Sequence, residues 1–152
     1  MSEINKTIAI ASDHAGFELK SHVIEFLKSG NYEVVDVGCN SLDRVDYPDY
    51  GFLLAEAIAE HRAEFGIGIC GTGIGISIAL NRNPAVRAAL CCDANMAKLS
   101  REHNDANVLV FGARLISAAM AIESLKVFLN TEFEGGRHVE RVKKLGRCCA
   151  NV

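Results

Sequence analysis

No stretch of this chain of 152 residues approaches the ~20 consecutive apolar residues that a membrane-spanning helix requires. The opening segment, Met1 to Lys6, is polar and charged and carries no apolar core of a secretory signal. A cytoplasmic protein without a membrane partner is expected. An excess of basic charge is missing too: 16 Lys and Arg face 19 Asp and Glu, for a formal net charge of −3. A binder of the nucleic-acid backbone carries a basic face, so no nucleic-acid partner is expected. A small anionic ligand remains open, because it needs only a local cluster of donors. C-x-x-C is absent as well. The six cysteines, Cys39, Cys70, Cys91, Cys92, Cys148 and Cys149, include two adjacent pairs, which suit neither a zinc site nor an ordinary disulfide framework. Reduced thiols and no metal centre are the expectation. Finally there is no linker, repeat or low-complexity stretch, so residues 1–152 read as a single domain.

What is present is an ordinary globular composition, 49% hydrophobic and 23% charged, enough to bury one core. Short apolar runs alternate with helical periods. Strands are expected at Thr7–Ser12, Tyr32–Val37, Phe65–Cys70, Val86–Cys91 and Val108–Phe111. Helices are expected near Phe17–Ser29, with Gly30 as a stop, from Pro48 to about Glu60, near Ile74–Asn81, from about Asn95 to Glu102, and over Ser117–Leu129. Repeated strand–helix units with strands apolar on both faces imply a parallel sheet with right-handed crossovers. The expected fold is a five-stranded, doubly wound α/β sheet, a Rossmann-like three-layer sandwich with a C-terminal helical tail. That tail, about 131–152, has only Val139, Val142 and Leu145 as a thin apolar stripe among its charges. It is expected to be poorly held by its own domain and to pack on a partner subunit.

In an open α/β sheet, ligands sit beyond the carboxyl ends of the strands. The rule marks Ser12-Asp-His-Ala-Gly16, the segment near Asp46, Cys70-Gly-Thr-Gly-Ile-Gly75, the region after Cys91, and Gly112-Ala-Arg114. Gly71, Gly73 and Gly75 at alternate positions between a strand and a helix let backbone N–H groups converge on an anion; the alternative is a tight turn whose glycines serve the backbone alone. The loop is neither a Walker A sequence nor a dinucleotide fingerprint. Cys70 adjoins it. A free thiol titrates at ~8.5 and is a poor base until positive potential acts on it, and convergent N–H groups supply such potential. The alternative is a buried packing cysteine, as expected for Cys39 and Cys91.

His14 follows the first strand, and His103 stands where a helix ends before the fifth. Histidine can shuttle a proton to a sugar ring oxygen; as a cation near a helix C-terminus, His103 equally suits the dipole. His22 and His61 fall inside expected amphipathic helices. Arg137 and Arg141, four apart, share a helical face. They form either a two-pronged phosphate clamp or a solvated salt-bridged surface with Glu134 and Glu140.

Taken together, Ser12-Asp-His-Ala-Gly-Phe17, Asp46-Tyr-Pro48, Gly68-Ile-Cys-Gly-Thr-Gly-Ile-Gly-Ile-Ser77, Arg101-Glu-His-Asn-Asp-Ala-Asn107 and Glu134-Gly-Gly-Arg-His138 give the chain a resemblance. From about Thr7 to Leu145 it resembles the type B ribose-5-phosphate isomerases, in the family that also contains galactose-6-phosphate isomerase subunits. The resemblance implies interconversion of ribose 5-phosphate and ribulose 5-phosphate through a cis-enediolate, within the non-oxidative pentose phosphate pathway. Cys70 would be the base; some relatives use a glutamate just after the loop, where this chain has Ile76. Thr72 would support the thiolate or a substrate hydroxyl. The N–H groups of Gly71, Thr72, Gly73, Ile74 and Gly75 would stabilise the enediolate oxygen. His103 would open the ring with Asp13 nearby, Asn104 would contact the sugar, and Asp46 belongs with the substrate-binding residues. His14, Arg114, Arg137 and Arg141 would hold the phosphate, the tail arginines reaching into the neighbouring subunit's site. A homodimer with a shared site and no cofactor is then expected. The competitors are an isomerase of six-carbon phosphosugars, a non-catalytic phosphosugar-binding module, and a thiol redox protein.

Overall fold

The computed structural model describes residues 5–146; the Cys148–Cys149 pair lies outside them. Five strands are present: β1 (Thr7–Ser12), β2 (Glu33–Asp36), β3 (Phe65–Cys70), β4 (Ala88–Leu90) and β5 (Val108–Gly112). Six helices accompany them: α1 (Phe17–Ser29), α2 (Tyr47–Ala59), α3 (Ile74–Leu80), α4 (Ala94–Asn104), α5 (Ala118–Leu129) and α6 (His138–Leu145). The strands form one sheet in the order β2-β1-β3-β5-β4, and every adjacent pair is parallel. The expected doubly wound three-layer fold is what the chain adopts.

Alternation along the strands separates two unequal layers. Ile8, Ile10, Ile67, Ile69, Leu109 and Phe111 face one side, where they pack with α1, α4 and α5 residues such as Val23, Ala97 and Leu125. Ala9, Ala11, Val108 and Val110 face the other, against Leu54 and Ile58 of α2 and Ile76 and Leu80 of α3. The second layer sits close to the sheet because its strand residues are small. A Cβ on Gly68 would stand 2.9 Å from Leu80 Cδ1.

Both edge strands are shorter than the sequence suggests. Before β4, the Val86 N–H bonds to the Asn83 carbonyl and the Arg87 N–H to Asn107 Oδ1 (2.8 Å), so local partners satisfy the backbone before the ladder begins. Capping fixes the helix starts instead: Asp93 accepts from the Met96 N–H at 2.8 Å and Ser117 from the Met120 N–H at 3.1 Å. His61 lies beyond the end of α2 at φ 57°, not inside that helix.

The chain leaves β1 in one direction, to β2, and later places β3 on the other side of β1. This is a topological switch point, where the carboxyl ends of two adjacent strands open a crevice. Ser12 ends β1 there and Cys70 ends β3.

Candidate active site

A cleft of about 450 Å³ opens at this switch point. The turn after β1 lines it with Asp13, His14 and Ala15, the loop after β3 with Cys70, Gly71 and Thr72, the start of α3 with Ile74, Gly75 and Ile78, and the chain after β5 with Arg114. Tyr47 of α2 completes the wall. Cys70 is 3% exposed, and its Sγ accepts a hydrogen bond from the Gly73 N–H at 3.2 Å, which turns the sulfur into the loop.

Three glycines have steric reasons to be glycine. Gly73 has φ 76°, and a Cβ there would lie 2.5 Å from Leu90 Cδ1. On Gly71 a Cβ would meet the Arg114 guanidinium at 2.8 Å, and on Gly75 the Tyr47 ring at 2.4 Å. The loop is thus both a tight turn and a platform on which Arg114 and Tyr47 rest. Backbone bonds tie the β5 end to it: Ala113 N–H to the Cys70 carbonyl and Arg114 N–H to the Gly71 carbonyl, both 2.9 Å. Thr72 Oγ1 accepts from the Ile74 N–H at 3.3 Å.

On the opposite wall, Asp13 is buried and accepts from the Gly16 N–H at 3.1 Å. His14 Nδ1 accepts from the Val45 N–H at 3.1 Å, which leaves Nε2 as the ring's other functional atom. Asp46 stands exposed at the start of α2, makes no side-chain cap hydrogen bond and does not line the cleft; Tyr47, beside it, does. Tyr47 was not singled out in the sequence, although it lies within a family motif.

The remaining expected residues are elsewhere. Helix α4 runs back from the carboxyl end of β4 to the start of β5, so its last residues lie at the opposite, amino-terminal edge of the sheet. Asn104 accordingly lines a depression with Val86, Arg87 and Leu145, and Arg87 pairs with Asp105 at 3.2 Å. Five strand residues at ~3.3 Å each put that edge roughly 16 Å from Cys70. His103 is therefore not near Asp13 of its own chain, contrary to expectation.

Arg137 and Arg141 stay with His103. The start of the tail is tied to α4 by a hydrogen bond from the Glu134 N–H to the Glu102 carbonyl (3.0 Å). His138, the first residue of α6, is buried and stacks on His103 at 4.4 Å between centroids. Burial, then the neighbouring His103 and Arg137, hold the His138 imidazole below its usual titration range. Arg101 fastens this corner: its guanidinium bonds Asp105 (2.9 Å), the Ala106 carbonyl (2.6 Å) and the Thr131 carbonyl (3.1 Å), and lies over the Phe65 and Phe128 rings. His138 and Arg101 both fall within motif stretches, yet a charged side chain and a surface-type helix gave no sign of burial.

The fold and the switch-point cleft define a class, and comparison with known proteins fills it in. A family model described as Ribose/Galactose Isomerase matches residues 8–145. The chain belongs to this family of sugar isomerases. It is 44% identical over 140 residues to ribose-5-phosphate isomerase B of Escherichia coli, an alignment spanning 92% of this chain and 94% of that protein. The crystal structure of a ribose 5-phosphate isomerase from Thermotoga maritima superposes with a TM-score of 0.91 at 50% identity, covering 93% and 97% of the two chains. Ribose-5-phosphate isomerase B from Mycoplasma genitalium, crystallised with bound ribulose-5-phosphate, gives 0.90 at 40% identity over 96% and 97%.

Proposed function

We propose that this chain is a cytoplasmic ribose-5-phosphate isomerase in which Cys70 moves the proton. The observation that carries this reading is the placement of one sulfur, at the end of β3, against the glycine loop and beside His14 and Arg114 in a single cleft. In the open-chain aldose, the Cys70 thiolate takes the proton from C2, leaving a cis-enediolate whose oxygen faces the N–H groups of residues 71 to 75. Donors aimed at charge that develops only along the reaction path lower the barrier. The sulfur returns the proton to C1, while the hydroxyl proton passes from O2 to O1. Oxidation at one carbon balances reduction at the other, so no cofactor is needed. His14 and Arg114 bind the phosphate.

The ring-opening acid/base cannot come from the same chain, because His103 and Asn104 stand at the far edge of the sheet with Arg137 and Arg141. A second copy supplies them. Ile74 and Ile78, both 54% exposed on α3 beside the cleft, and Leu145, 58% exposed on the tail, give such a partner apolar surface to cover. The unit is a homodimer with two shared sites.

The test is conversion of ribose 5-phosphate to ribulose 5-phosphate by purified protein with chelator present, alongside Cys70→Ala and a parallel assay on allose 6-phosphate. Removing a general acid/base costs about a hundred- to ten-thousand-fold, so the variant should lose turnover on that scale and still bind substrate. Undiminished activity in Cys70→Ala removes the assigned base; a clear preference for the hexose removes the substrate.

A further inference from the structure

The corner that holds His103 contains a second convergence of ligating groups. His103 and His138 stack with ring planes 15° apart, and Glu134 Oε2 lies 3.7 Å from His103 Nε2 and 4.0 Å from His138 Nε2. One donor atom from each side chain is within 4.8 Å of the other two. The backbone builds this arrangement. Gly135 and Gly136, at φ 71° and 55°, fold the chain so that Glu134 returns over His138, and the Glu134–Glu102 backbone hydrogen bond sets that turn beside His103.

We propose that His103, Glu134 and His138 form a binding site for a divalent cation of the zinc class, and that its occupancy inhibits isomerisation. At bond lengths of 2.0–2.2 Å, tetrahedral zinc places neighbouring donors about 3.3 Å apart. The Glu134–histidine spacings need to close by less than about 1 Å and the histidine–histidine spacing by at most about 1.5 Å, with the His103 ring turning out of the stack so that both lone pairs meet. These movements are open to the exposed Glu134 and half-exposed His103 side chains. Two imidazoles and one carboxylate select Zn²⁺, Co²⁺ or Ni²⁺ over Mg²⁺ and Ca²⁺, which prefer oxygen sets. Three protein ligands leave a fourth position for water or an anion. Arg137 and Arg141 are near enough to act on His138; they repel a dication and so make the metal exchangeable. A cation on His103 occupies the lone pair that ring opening uses. This inhibitory consequence rests on the isomerase reading, whereas the site itself does not.

The experiment is a Co²⁺ titration of metal-stripped full-length protein, followed by visible absorption, with Glu134→Gln alongside. The expected result is a four-coordinate cobalt spectrum saturating at about one ion per chain, displaced by Zn²⁺ and weakened at least about tenfold in Glu134→Gln. Glu134 is exposed, and far-UV circular dichroism confirms that the variant is folded. A thiolate-to-cobalt charge-transfer band, or equal affinity in the variant, overturns the site. In the ribose 5-phosphate assay, Zn²⁺ should inhibit wild type, Mg²⁺ should not, and Glu134→Gln should retain its metal-free rate while needing at least about tenfold more Zn²⁺. Equal inhibition of the two proteins overturns the consequence. Absence of turnover in metal-free wild type counts against the isomerase reading, and the cobalt titration still decides the site.

Discussion

Three cysteines near the carboxyl edge of the sheet show how little the residue type says by itself. Cys70 ends β3 against the glycine loop. Cys91 is equally buried, but burial, against a hydrogen bond with Ser100, pushes its thiol up to about 12. Cys92, the next residue, is exposed and lies with Sγ 3.3 Å from Met96 Sδ. The thiolate is the nucleophile, so Cys91 stays protonated and unreactive at about pH 8. Iodoacetamide at that pH, followed by peptide mass spectrometry, should label Cys92 and leave Cys91 unmodified; comparable labelling of both would mean that the core around Cys91 opens readily. The sequence separated these roles only by adjacency to Gly71-Thr-Gly-Ile-Gly75. It did not reveal His138 or Arg101, because both look like solvated charges until the stacked ring and the Phe65–Phe128 pair surround them.

Among the elements, strands were legible because each is a short apolar run, α1 because Leu19, Val23, Phe26 and Leu27 recur at helical spacing, and α2 because Pro48 suits a first helical turn. The edge strands came out long in the sequence reading, since nothing in Val86 or Arg87 shows that Asn83 and Asn107 have already taken their backbone partners. Helix α4 was legible, but the consequence of its direction was not: it starts at one edge of the sheet and delivers His103 to the other. Its start depends on Asp93, whose carboxylate holds the Met96 N–H. Asp93→Ala should cost about 1 kcal/mol of stability, the usual value for a lost cap, read as a lower midpoint in thermal or urea unfolding. Turnover of the folded fraction should stay near wild type, because the change sits a whole helix away from His103.

At the scale of the whole molecule, the two groups of site residues lie at opposite edges of one sheet, Cys70 with His14 and Arg114 on one, His103 with Arg137 on the other. Two inactive variants, Cys70→Ala and His103→Asn, should therefore rescue each other when refolded together. In a mixed dimer one of the two sites draws its cysteine and its histidine from intact halves, so an equal mixture should recover about a quarter of wild-type activity, half the dimers being mixed. No recovery would confine both halves of the chemistry to one chain. On the proposed shared site, the same separation makes catalysis a property of encounter. A lone chain would then be chemically silent however well it folds, and the pool of active sites would grow with the square of the chain concentration while the protein is scarce. Synthesis of such an isomerase would act as a threshold, with flux appearing only once enough chains are present to find one another.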